Sequence, residues 1–184
     1  MQDEESTARG LQRRDPDAWA EVYEEYFSRV YRYIALRVGD KTEAEDLAGQ
    51  VFLKALESIS SFKWRGVPIS AWLFRIAHNQ VIDYWRTSKA KLHSPVEEWL
   101  VGDDMDPVLE AERDLDIRRV VQALGQLTQA QRDVIELRFA GGLSTSEVAK
   151  VLGKSQGAVK VLQHSALVSL RKRLSSGGNH EEKL

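Results

Sequence analysis

Apolar residues recur at spacings of three and four through most of the 184-residue chain. A spacing of two is nowhere sustained, which predicts helices and no sheet. Asp15-Pro16 reads as an N-cap followed by proline at the first helical position. The helix it opens carries Trp19, Val22, Tyr23, Tyr26, Phe27, Val30, Tyr31 and Ile34, and Gly39-Asp40 ends it. Thr42 and Glu45 have the spacing of a capping box, with Leu47, Val51, Phe52 and Leu56 following on one face. Residues 58–70 predict a loop broken by Gly66 and Pro68. A third long helix, over about 71–88, carries Trp72, Leu73, Ile76, Ala77, Ile82 and Trp85. Periodicity is then lost over 89–106, where Pro95, Gly102 and an acidic run predict a linker. Its apolar Val96, Trp99, Leu100 and Val101 leave part of it able to dock. Asp106-Pro107 restarts a helix to about 124, and Thr128 with Gln131 caps another that places Val134, Ile135, Leu137 and Phe139 inside.

Beyond Gly141-Gly142 the pattern becomes a helix-turn-helix. Ser144 and Glu147 form a capping box, Val148, Val151 and Leu152 supply a buried side, and Gly153 breaks the helix at a tight turn. Ser155 caps a second helix running to about 174, with Val159, Leu162, Ala166 and Leu170 on one side. Gln156, Gly157, Lys160 and His164 fall on the opposite side. Donors near the N-terminus and small residues where backbone nears the duplex suit a helix laid in the major groove. No acidic residue lies between Glu147 and Glu181, while Lys150, Lys154, Lys160, Arg171, Lys172 and Arg173 do. Such a cluster neutralises phosphates. The last helix alone also fits a solvated basic face; the capped helix and glycine turn before it favour DNA.

A net charge of −2 is at odds with a DNA ligand until its distribution is read. Residues 1–90 carry 13 basic and 14 acidic side chains, and residues 113–184 carry 12 basic and 7 acidic. The excess sits between them, where Lys91 stands against Glu97, Glu98, Asp103, Asp104, Asp106, Glu110 and Glu112. The fold class is therefore all-α: two small helical domains, 10–90 and 107–175, joined by an acidic flexible linker over 91–106, with a disordered tail over 176–184. There is no cysteine, hence no thiolate metal site. The N-terminus Met1-Gln2-Asp3-Glu4-Glu5 is unlike a signal peptide, and the longest apolar runs are too short to cross a bilayer. A cytoplasmic protein without membrane insertion is expected.

Catalysis finds little support. His78, His93, His164 and His180 are scattered, no Gly-rich phosphate loop is present, and the acidic run around Asp103 lacks calcium-loop spacing. No catalytic residue, metal or cofactor is expected. A different chemistry is written between Ser58 and Ile82, which holds no acidic residue. There Lys63, Arg65 and Arg75 interleave with Phe62, Trp64, Trp72 and Phe74. Cations for a backbone and flat rings for unstacked bases are what single-stranded DNA requires. Gly66 and Pro68 close a short loop able to form a pocket, and Asn79 offers both donor and acceptor to a base edge. Trp72 and Ile76 read as core.

Four segments, in order, resemble the extracytoplasmic-function sigma factors of bacterial RNA polymerase. Residues 23–34, Tyr-Glu-Glu-Tyr-Phe-Ser-Arg-Val-Tyr-Arg-Tyr-Ile, resemble the family's first helix. Residues 44–55, beginning Ala44-Glu45-Asp46-Leu47, resemble its polymerase-docking helix. Residues 70–86, which include Ala71-Trp72-Leu73-Phe74-Arg75-Ile76-Ala77-His78-Asn79, resemble the helix that handles the −10 promoter element. Leu127-Thr128-Gln129-Ala130-Gln131-Arg132 and the helix-turn-helix resemble the −35-reading domain.

The resemblance implies a sigma factor that binds core polymerase, reads −35 duplex and captures melted −10 DNA without doing chemistry itself. It assigns polymerase docking to Glu45, Asp46, Leu47, Gln50 and Val51, whereas the residues alone favour a solvated acidic face. It assigns −10 DNA to Lys63, Trp64, Arg65, Gly66, Arg75, Asn79 and Arg86. The −35 candidates are Ser144, Ser155, Gln156, Gly157, Lys160, Gln163, His164, Arg171 and Lys172. His164 is open between base and backbone contact, and Arg138 between a surface ion pair and a phosphate contact. An anti-sigma protein that masks polymerase-binding faces is a further implied partner. Two departures stand out: Gly49-Gln50 where the family usually has Gln-Glu, and Val161, Leu162 and Ser165 where many members have Ser, Arg and Arg. The rival reading is a stand-alone helix-turn-helix regulator, for which the basic aromatic segment 61–86 has no use.

Overall fold

The computed structural model describes residues 2–62, 66–87 and 119–177. The linker expected over 91–106, the start of the helix expected from Asp106-Pro107, and residues 178–184 of the tail lie outside them. Among the described residues all regular structure is helical: α1 (Gln2–Gln12), α2 (Pro16–Val38), α3 (Lys41–Ser58) with a 3-10 turn at Ile59–Ser61, and α4 (Ile69–Thr87). The second half contributes α5 (119–125), α6 (Gln129–Phe139), α7 (Thr145–Leu152) and α8 (Gln156–Gly177).

Most helix ends follow their capping chemistry. Asp15 accepts from the Asp17 N–H at 3.0 Å with Pro16 next to it, and Gly39 closes α2 in the left-handed region at φ 77°. Both capping boxes of the second half are complete, Thr128 with Gln131 and Ser144 with Glu147. The cap of α3 differs from expectation. Asp40, not Thr42, accepts from the Glu43 N–H at 2.9 Å, because the chain re-enters helix directly after Gly39 and Thr42 already lies inside it. Helix α1 is an addition, since its two buried residues, Ala8 and Leu11, are too few to show a period. It is tied down by Trp19 Nε1 donating to the Leu11 carbonyl at 3.2 Å and Gln12 Nε2 donating to the Phe62 carbonyl at 2.6 Å.

In the first half α4 packs against α2 and α3, joining Leu73, Phe74, Ala77 and Val81 to Val30, Tyr33, Ile34, Val51 and Ala55. Each fully buried Val, Leu, Ile or Phe among them is worth about 1.5–3 kcal/mol, and each Ala less. In the second half α6 and α7 hold α8 through Val134, Leu137, Val148, Val151 and Val159. Phe139 is not inside as expected but 61% exposed. Two residues beyond Leu137, it sits more than half a turn away from that buried side.

The two halves pack against each other, with α7 lying on α4. Gly141 fits because it lacks a side chain: a Cβ there would stand 2.7 Å from Phe74 Cε1 and 2.8 Å from the Leu137 carbonyl. Arg29 of α2 donates to the Gly141 and Gly142 carbonyls at 3.0 and 3.1 Å. Ser70 at the start of α4 donates to Glu147, and Lys150 donates to the Gly66 carbonyl. Deepest in the seam, Arg37 of α2 lies 2.6 Å from Asp133 and 3.1 Å from Glu136 of α6, with side-chain exposures of 6%, 14% and 3%.

Glu136 is the strained member of that trio. Its Oε2 lies near Arg37 but without the alignment of a hydrogen bond. Burial pushes its carboxyl up to about 7, outweighing the opposing pull of Arg37 and Arg132. His78, which shares a hydrogen bond of 2.9 Å with the Tyr33 hydroxyl nearby, is pushed down by its own burial. The two groups act in opposite senses. A carboxyl raised by folding stabilises the packed state below its ordinary value, and that contribution is lost as pH rises through about 7. A histidine lowered by folding does the reverse. Glu136→Gln isolates the first contribution. Urea unfolding of wild type and variant at pH 5.5 and pH 8 should show wild type losing more stability at the higher pH than the variant does. Equal losses would mean that Glu136 is an ordinary carboxylate.

Candidate nucleic-acid interface

Helix α4 divides its surface sharply. Ile69, Ser70, Leu73, Phe74, Ala77 and Val81 are buried, while Arg75, Asn79, Ile82 and Arg86, spaced four, three and four apart, form one exposed stripe. That stripe brings together three of the predicted −10 residues and adds Ile82. Arg86 pairs with Asp83 across one turn at 3.0 Å, an exposed contact of little energetic weight. Gly66 lies just before α4, exposed, at φ 70°, where a Cβ would meet open space but the left-handed backbone favours glycine. Lys63, Trp64 and Arg65 lie outside the described residues.

On α8, Ser155 caps the helix by accepting from the Ala158 N–H at 3.1 Å. Gln156, Gly157, Lys160, Val161, His164, Val168 and Arg171 are exposed, and Val159 and Ala166 are buried opposite them. Lys172 is also exposed, one residue further. Gln163 and Ser144 are placed differently. Gln163 is half-buried, its Oε1 accepting from Arg138 Nε at 3.2 Å. The Ser144 hydroxyl accepts from the Glu147 N–H at 3.2 Å and is held by the cap. Arg138 also donates to the Leu143 carbonyl, so it braces α8 against α6 instead of reaching outward. Ser165 likewise faces inward and pairs with Gln131 Nε2, and Leu162 packs on the core. Of Val161, Leu162 and Ser165, the α8 positions that depart from the family pattern, only Val161 points to solvent.

On α3, Glu45, Asp46 and Gln50 are exposed on one side together with Gly49. Val51 is fully buried and Leu47 nearly so. Those two pack in the core, although the resemblance counts them with the docking residues. Leu53 is 57% exposed. It joins Trp19, Tyr23, Phe52 and Leu56 in an open apolar groove of about 650 Å³ between α2 and α3. A second groove, of about 450 Å³, runs between the halves and is lined by Leu36, Val120, Leu124, Ile135, Phe139, Leu167 and Leu170. Neither was visible in the sequence as a site, because each is assembled from different helices. Among the described residues no group of His, Asp and Glu is placed to hold a metal, and no helix is long and apolar enough to cross a membrane.

Residues 22–91 match the family model of sigma-70 region 2, and residues 123–172 that of sigma-70 region 4. The chain is 38% identical over 165 residues to the ECF RNA polymerase sigma factor BldN of Streptomyces coelicolor, covering 87% of this chain but only 61% of that relative. It is 34% identical over 160 residues to SigX of Bacillus subtilis, an ECF sigma factor, covering 83% of this chain and 81% of the relative. In fold it is similar to CnrH, solved in complex with the cytosolic domain of CnrY: TM-score 0.72, 24% identity, 94% of this chain and 97% of that one.

Gly49 offers a simple check on the outer face of α3. A Cβ there meets nothing within 4 Å. Gly49→Ala should therefore stabilise the protein by roughly 0.5–1 kcal/mol through the restricted unfolded chain. The readout is the urea midpoint, and a lower midpoint would show that α3 needs glycine at this position.

Proposed function

This chain belongs to the ECF RNA polymerase sigma factors, and we propose that it binds core RNA polymerase and directs initiation at promoters whose −35 duplex it reads with α8 and whose melted −10 strand it holds with α4. The observation that carries this reading is the pairing, within one chain, of two exposed polar and basic stripes on separate helices. The first, Arg75, Asn79 and Arg86 on α4, follows a stretch of sequence rich in cations and rings. The second, Gln156, Gly157, Lys160, His164 and Arg171 on α8, follows a capped helix and a glycine turn.

The chemistry differs between the two. The first turn of α8 presents backbone N–H groups beside Ser155 and Gln156, a ready place for a phosphate. One turn on, Lys160 reaches base edges, where guanine O6 and N7 are the acceptors that suit it. Arg171 and Lys172 lie further along and take phosphates. A base outside the stack costs a few kcal/mol to expose, and the single-stranded site must supply that in contacts. Asn79 offers donor and acceptor to a base edge, Arg75 and Arg86 take the backbone, and the cations and ring of Lys63, Trp64 and Arg65, with Gly66, are assigned to the same strand by their residue types alone.

Glu45, Asp46 and Gln50 give α3 a polar docking face that continues into the apolar groove at Leu53 and Leu56. We assign the polymerase contact there. An anti-sigma protein competes for the same surfaces, and the groove between the halves has the apolar lining that seats an amphipathic helix. The polymerase supplies the chemistry and the cytoplasm is its compartment. A stand-alone regulator would have no need of the α4 stripe.

In-vitro transcription with core polymerase on a promoter library is the direct test. Transcripts that depend on the chain are expected, and a chain that binds promoter duplex yet never joins core polymerase would refute the reading. Lys160→Ala should weaken −35 binding by about 1–3 kcal/mol if Lys160 reads a base, with relaxed specificity at one position. Uniform loss across sequences assigns it to phosphate. Asn79→Ala should impair open-complex formation more than initial binding, and equal loss in both steps removes it from strand capture.

A further inference from the structure

Val161 is 69% exposed, the most exposed large apolar side chain among the described residues. A lone exposed valine on a protein surface needs no explanation. Its position does. It lies on α8 one turn beyond Gly157, on the face turned away from buried Val159 and Ala166, with Lys160 beside it and His164 one turn further on. Both neighbours on its N-terminal side are small and exposed: Gly157 has no side chain, and Ala158 carries a single methyl. Neither of them projects past Val161. A β-branched side chain is short and stiff, so it makes contact only where backbone comes close, and there it fits one shape.

Within the major groove that shape has one apolar counterpart. Guanine, cytosine and adenine show only donors and acceptors there, and thymine adds a C5-methyl group. The basic residues on either side, Lys154 before the helix and Arg171 towards its end, bracket Val161 with groups that suit phosphates. We propose that Val161 packs on the methyl of a thymine in the −35 duplex and so determines specificity at one base pair, beside the hydrogen bonds made by Lys160. This rests on α8 being the −35-reading helix. The contact is made by shape and dry apolar area, so it discriminates thymine from any base lacking that methyl, and it carries none of the salt dependence of the flanking lysines.

The test removes the methyl group and nothing else. The full chain is assembled with core polymerase on a promoter it transcribes, and each thymine of the −35 element, on either strand, is replaced in turn by 2′-deoxyuridine. Wild type should lose about three- to tenfold in affinity at one position, as expected for one buried methyl or methylene contact. Val161→Ala should bind the unmodified promoter more weakly by a similar factor and be indifferent to deoxyuridine at that position. Circular dichroism of the variant, which changes an exposed site, should match wild type. The inference is overturned if wild type is indifferent to deoxyuridine throughout, or if the variant keeps the wild-type ratio at every position. A −35 element without an A·T pair overturns it equally. A chain that never supports transcription with core polymerase fails at the earlier reading, whereas sequence-specific initiation that ignores the methyl fails only here.

Discussion

A helix with 3.6 residues per turn can give one side to a core and keep the other for a ligand only if its apolar residues stay strictly in phase, and α4 meets that constraint for almost five turns. Leu73, Phe74, Ala77 and Val81 are fully buried, while Arg75, Asn79, Ile82 and Arg86 never turn inward. Helices α2 and α3 exist in large part to cover the buried side, and α7 closes over its start. Because α4 is clamped along its length, its outward stripe is held on a rigid rod and not on a loop. Side chains carried on such a rod are placed more accurately than side chains on a loop.

Helix α8 reaches the same end with less burial of its own. Only Val159 and Ala166 are fully inside, and Val161, Leu167 and Val168 are exposed. Its orientation comes from side chains of α6. Arg138 spans from the Leu143 carbonyl to Gln163, and Gln131 reaches Ser165 while also serving the Thr128 cap. Residues that look like candidate DNA contacts by spacing alone, Gln163 among them, thus serve to aim the helix.

What could be read from the sequence follows from how local its cause is. The caps at Asp15, Thr128, Ser144 and Ser155 and the breaks at Gly39 and Gly153 depend on residues within a turn of one another, and they stand where the pattern put them. The outward side of α8, with Gln156, Gly157, Lys160 and His164, was legible because it belongs to a single helix. The misreadings have equally physical origins. Asp40 displaced Thr42 because both can cap and only the backbone decides which is extended. Val51 and Leu47, which the resemblance carries into the docking set, are buried, because a resemblance transfers positions without saying which of them the core takes. Phe139 looked internal because aromatic rings usually are. The packing of one half on the other was beyond reach, since Arg37 and Asp133 are separated by 96 residues and nothing in either local pattern points to the other.

That ionic seam has a consequence for how the molecule comes apart. A guanidinium and two carboxylates held away from water gain little net energy over the same three groups hydrated, because each was stripped of its solvent shell to get there. Removing one partner is therefore far more disruptive than parting all three at once. Separation lets water return to every charge, and the apolar contact between α7 and α4 becomes the main term to overcome. The seam acts as a register pin more than as glue, since three charges at fixed distances match in one mating geometry of the two halves.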